Sequence, residues 1–84
     1  MIEDELRAIV AEVAEIDPAT VDSRGTLAEA GVDSLMAMEI AVDVERLYGL
    51  TFTVEELKRI TTFGSLVALT EARLAEQEVA SSGQ

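Results

Sequence analysis

The sequence reads as an all-α domain, a four-helix bundle with three longer helices, one short third helix and a long first loop. Three features point there. Apolar residues recur at helical spacing through most of the 84 residues. Pro18 and Gly49 stand where helices must stop, and two Thr-x-x-Glu boxes stand where new turns can start. A chain of this length supports one domain with one small core, hiding roughly 60–65% of the surface it exposes when unfolded.

The first helix is expected from Ile2, Leu6, Ile9, Val10 and Val13, which share one face while Glu3, Glu5, Arg7, Glu12 and Glu15 fall mostly on the other. Asp17-Pro18 ends it, because proline cannot continue a helix and restricts the residue before it. Residues 17–33 then form the long loop, with Val21 and Leu27 as inward anchors. Thr26 and Glu29 have capping-box spacing there, and Gly31 can end the turn they open. A second helix runs from about Ser34 to Tyr48. Thr53 to Glu56 opens a short third helix ending near Ile60, and Thr62 caps a last one from about Phe63 to Glu78 with Leu66, Leu69 and Leu74 inward. The aliphatic core should include Leu6, Ile9, Leu27, Ile40, Val44, Ile60 and Leu69. Residues 1–78 are thus expected to form the single domain, and 79–84 a flexible tail or linker.

Composition narrows function. The chain has 17 acidic and 6 basic residues, a formal net charge of −11, and neither cysteine nor histidine. Disulfides, thiolate metal sites and cysteine nucleophiles are excluded, and the side chain best suited to proton transfer near neutrality is missing. No catalytic or metal-ligating set can be assembled, and residues 17–29 lack the alternating oxygen ligands of an EF-hand loop. So acidic a chain does not suit nucleic acid, whose phosphates require a basic surface. No apolar run approaches the ~20 residues of a membrane span, and the acidic start is unlike a signal peptide. A cytoplasmic, non-enzymatic, monomeric domain is the expectation.

The second helix carries one apolar face too many. At 100° per residue from Ser34, residues Met36, Ala37, Ile40, Val44 and Leu47 cluster between about 200° and 300° as a core stripe. Leu35, Met38 and Val42 form a separate cluster between about 40° and 100°, flanked by Glu39 and Asp43 on one side and Glu45 on the other. These three could pack beneath the long loop. Exposed, they make a docking surface: apolar anchors with an acidic rim that attracts a basic partner.

Ser34 begins this helix. A serine there commonly caps. The position also suits a covalently attached phosphate, because free N–H groups and the positive end of the helix dipole favour an anion. Triad-type catalysis is out, for no histidine exists to deprotonate it.

Gly31-Val32-Asp33-Ser34-Leu35-Met36-Ala37-Met38-Glu39-Ile40 resembles the modification motif of acyl carrier proteins, whose core is Asp-Ser-Leu. The long first loop, acidic second helix, short third helix and Ile60-Thr61-Thr62 resemble the same family. The resemblance implies that Ser34 carries a 4′-phosphopantetheine arm, installed from coenzyme A by a phosphopantetheinyl transferase, whose thiol holds an acyl group as a thioester. It also implies that Asp33 helps position the arm or the transferase's metal. Partners implied are a ketosynthase, an acyltransferase and other synthase enzymes, meeting Leu35, Met38, Glu39, Val42, Asp43 and Glu45 through basic patches. Met36-Ala37 after Asp-Ser-Leu is similar to carriers of polyketide synthases. Glu55-Glu56 and Ile60-Thr61-Thr62 are similar to the fatty-acid type, though Lys58 stands where that type is often acidic. Polyketide biosynthesis ranks first, fatty-acid synthesis second and aminoacyl carriage third. The rival from another class is an unmodified acidic adaptor that binds a basic partner through the same helix.

Overall fold

The computed structural model describes the backbone of residues 2–82 and the side chains of residues 2–77. Four helices follow one another: α1 (Ile2–Ala14), α2 (Ser34–Tyr48), α3 (Val54–Arg59) and α4 (Phe63–Ser82), with a single 3-10 turn at Pro18–Thr20. No helix among the described residues is long and apolar enough to cross a membrane.

Helix α1 buries Leu6, Val10 and Ala11, while Ile2, Ile9 and Val13 line the edge of the core. It stops at Ala14, earlier than Asp17-Pro18 alone would require. Glu15 adopts a left-handed φ of 57°, which lets the Ile16 amide turn back to the Ala11 carbonyl at 3.0 Å. Asp17 then caps the turn that Pro18 opens, accepting from the Ala19 amide at 2.9 Å. Arg7, expected on the solvent side, is partly buried. Its guanidinium donates to the Val21 carbonyl and lies 4.7 Å from the centre of the Phe63 ring, while Glu3 holds it from outside at 2.9 Å.

The long loop is pinned by Val21, Leu27 and Val32, all buried. Thr26 and Glu29 make the reciprocal capping pair at 2.8 and 3.1 Å, but it closes a turn rather than a helix. The loop is fastened to the start of α4 by Leu27 N–H to Thr61 O (2.9 Å) and Gly64 N–H to Ser23 O (3.1 Å).

In α2 the buried residues are Ile40, Ala41 and Val44. Leu47, expected in the core stripe, is 53% exposed, whereas Tyr48 is half-buried. The stripe is centred roughly 35° further round than the sequence pattern placed it. That side of α2 meets α1, whose Glu5 accepts a 2.6 Å hydrogen bond from the Tyr48 hydroxyl. Burial, then the Glu5 hydrogen bond and charge, push the Tyr48 phenol well above its ordinary value.

Thr53 and Glu56 form the expected capping box on α3, and Arg73 of α4 reaches both the Thr51 carbonyl (2.9 Å) and Glu56 (2.6 Å). The Thr53 amide, and with it the Arg73 charge, hold the Glu56 carboxyl below the usual glutamate range against an opposing effect of burial. A carboxyl depressed in the folded state stabilises the fold above the ordinary glutamate value, and that contribution fades as pH falls through the folded value. The melting-temperature gap between wild type and Glu56→Gln should therefore shrink as pH is lowered from neutral into that range. A gap constant with pH would show that Glu56 acts through packing alone.

Helix α4 seals the bundle with Phe63, Leu66 and Thr70, all fully buried, while the expected Leu69 and Leu74 pack at its flanks. The Thr70 hydroxyl is satisfied by donating to the Leu66 carbonyl at 2.8 Å. The helix continues to Ser82, where a tail or linker was expected from residue 79; Gly83 and Gln84 lie outside the described residues.

Candidate functional site

The segment entering α2 is built one residue at a time. Gly31 takes φ = 93°, a left-handed turn that L side chains resist, and reverses the chain. Val32 drops into the core and fixes the depth at which the chain re-emerges. Asp33, in extended conformation, caps α2, its Oδ1 accepting from the Met36 amide at 2.8 Å, while its carbonyl accepts from Ala37 at 2.9 Å.

Ser34 is therefore the first helical residue and not the cap. Its side chain is exposed, and among the described residues its Oγ has no hydrogen-bond partner. The cap that a serine often provides here is already supplied by Asp33. Ser65 makes the contrast. Its Oγ donates to the Thr62 carbonyl at 2.8 Å and accepts from the Thr61 and Thr62 amides at 3.1 and 3.0 Å, so it is fully engaged in starting α4. Ser34 has a free hydroxyl at the positive end of a 15-residue helix. A phosphoester there would meet unpaired N–H groups of the first turn.

The second face of α2 is open. Leu35 is 74% exposed, Met38 62% and Val42 40%, so they do not pack beneath the first loop. Glu39 and Asp43 are exposed beside them. Glu45 is different: its Oε2 accepts from the Phe52 amide at 2.8 Å, in a partly buried position. Its carboxylate braces the loop between α2 and α3 and is less exposed than those of Glu39 and Asp43. Val54, the first residue of α3, is exposed too and extends the apolar face past Met38. The capping box at Thr53 marked Val54 as the first residue of a helix but not its exposure, since Phe63 holds the same position after Thr62 and is fully buried.

Ser34 also borders two clefts. One, of about 360 Å³, opens between α2 and α3 and is lined by Met38, Val54, Leu57, Ile60 and Leu66 together with Lys58. The other, of about 350 Å³, adjoins the first, sharing Leu27, Ser34, Ala37 and Ile60 with it, and extends on the first-loop side along Thr26, Ala28, Asp33 and Thr61. The site thus joins a free, exposed hydroxyl, an anion-favouring helix end, an apolar cleft and an exposed apolar face with an acidic rim.

Comparison with known proteins bears on this arrangement. Residues 4–70 match the family described as "Phosphopantetheine attachment site". The non-reducing polyketide synthase azaA of Aspergillus niger is 41% identical over 64 residues, covering 76% of this chain and 2% of the synthase. The non-reducing polyketide synthase pkiA of Emericella nidulans is 39% identical over 71 residues, covering 84% of this chain and 3% of the synthase. Such alignments span only a small fraction of those proteins. The crystal structure of an acyl carrier protein from Thermotoga maritima superposes with a TM-score of 0.76 at 28% identity, covering 90% of this chain and 94% of that one.

Proposed function

Since this chain belongs to the phosphopantetheine attachment site family and is an acyl carrier domain, we propose that Ser34 is the attachment residue and that α2 presents the loaded carrier to synthase enzymes. The observation that carries the first half is the division of work at the helix start: Asp33 caps, and Ser34 Oγ stays free and exposed. The bound 4′-phosphopantetheine supplies a terminal thiol that holds an acyl group as a thioester. The protein's own residues hold, orient and address. Gly31, Val32 and Asp33 fix the position of the hydroxyl, and the first-turn N–H groups stabilise the phosphoester negative charge. This reading makes the Asp33 side chain a positioning group that acts through the helix cap. A tether of this kind raises the effective concentration of its cargo at each partner's active site.

Polyketide biosynthesis is the pathway that the identities of 41% and 39% to polyketide synthases support, and Met36-Ala37 agrees with it. In that setting a phosphopantetheinyl transferase loads the chain, and condensing and acyl-transferring enzymes use it.

Leu35, Met38, Val42 and Val54 would supply apolar contact, with Glu39 and Asp43 meeting basic partner residues. Rim charges mainly set arrival rate, which suits a carrier that must also leave quickly. Glu39→Lys should slow the transferase reaction roughly 5- to 10-fold at low salt, with the difference narrowing as salt screens the charges. Its melting temperature should match wild type, since Glu39 is exposed. A rate equal to wild type at low salt would remove Glu39 from the docking rim.

A further inference from the structure

The two clefts beside Ser34 carry opposite charge. Of the side chains lining the α2–α3 cleft, Lys58 is the only charged one. Of those lining the first-loop cleft, Asp33 is the only charged one. Lys58 is also the only lysine in a chain of formal charge −11. It is exposed on α3, and among the described residues it forms no ion pair. The pairs that exist join Arg7 to Glu3 and Arg73 to Glu56 and Glu76. Arg24, Arg46 and Arg59 likewise form no ion pair among the described residues, but of these four only Lys58 lines the apolar cleft that also reaches Ser34.

A phosphodiester on Ser34 Oγ would add one more negative charge to this surface. On the first-loop side it would approach the Asp33 carboxylate, with Glu29 exposed on the same loop. Toward α3 it would approach a cation. We propose that Lys58 is the counter-ion of that phosphodiester and directs the arm out over the α2–α3 cleft instead of the first-loop cleft. The inference rests on Ser34 being the attachment residue. It makes Lys58 a positioning residue: the charge at the root of the arm selects which of two similarly sized clefts the rest of the arm passes over. The attraction is partly screened because Lys58 is exposed, so it acts as a bias on direction and not as a fixed contact.

A single lysine makes the test clean. Reductive methylation with a ¹³C label keeps the charge and gives one side-chain signal. The protein is loaded with the unacylated arm, so no acyl carboxylate can contribute, and intact mass confirms loading. Attachment should move the Lys58 methyl signal, and raising the salt concentration should reduce that movement. Amide signals of Val54 and Leu57 should shift more on loading than those of Thr26, Ala28 and Thr61. In Lys58→Glu, loaded to the same mass, the α3 perturbations should be largely lost, while Lys58→Met should give an intermediate map. An unmoved Lys58 signal in fully loaded protein, or a Lys58→Glu map identical to wild type, would overturn the proposal. No gain in mass would instead overturn the assignment of Ser34, and this inference with it.

Discussion

Ser34→Ala should abolish transfer of phosphopantetheine from coenzyme A, leaving the intact mass of the variant unchanged after incubation with a transferase that modifies wild type. The loss should be complete, because on the proposed function the Ser34 hydroxyl is the nucleophile and its oxygen becomes the phosphoester bridge. The fold should not notice. Ser34 is exposed, its Oγ supports no described contact, and alanine at a first helical position keeps the Asp33 cap intact. Surface changes of this type usually alter stability by less than ~0.5 kcal/mol. Asp33→Ala provides the informative contrast. Removing the cap should cost about 1 kcal/mol and slow loading while leaving the nucleophile in place. Full loading of Ser34→Ala would remove the serine from the account.

The second large effect lies in the core. Phe63→Ala should destabilise the protein by about 3–5 kcal/mol, the usual range for emptying a buried aromatic site. Total stabilities of such domains are only about 5–15 kcal/mol, so much of the reserve would go. A drop in melting temperature exceeding roughly 15 °C follows for a domain of this length. Phe63 has no exposed surface, lies beneath the long loop, and supports the Arg7 guanidinium that donates to the Val21 carbonyl. Losing it removes packing from α4, α1 and the loop together. Met38→Ala is the control, a large apolar residue that is 62% exposed and should change melting little. Equal melting losses in the two variants would mean that the open face of α2 is structural.

How far the sequence reached can be judged residue by residue. Helix existence was legible because it depends on local signals: the apolar period, Pro18, Gly49 and the box at Thr53. The exposed set Leu35, Met38 and Val42 was legible too, because no single stripe can hold two clusters so far apart around one helix. Missed were the features that depend on which neighbour arrives. Leu47 is exposed and Ala41 buried on a helix whose Tyr48 hydrogen-bonds Glu5 of α1, a contact 43 residues apart in sequence. Glu45 belongs to the Phe52 amide, a pairing set by the path of the α2–α3 loop and invisible to a helical wheel. Arg7 read as an outer residue because charge pattern alone does not show where a long guanidinium side chain can reach. At the site, Asp-Ser-Leu marked the serine. Only the structure divides the cap from the free hydroxyl and places Lys58 and Asp33 in different, adjoining clefts beside it.

Attachment at Ser34 is the claim on which the rest depends, and peptide mapping of the loaded protein tests it most directly. Trypsin cleavage after Arg24 and Arg46 releases residues 25–46, whose single serine is Ser34. Tandem mass spectrometry should find phosphopantetheine on that peptide and on that residue, with none on the peptides holding Ser23 or Ser65. Attachment at either of those serines, or at Thr26 within the same peptide, would contradict the account.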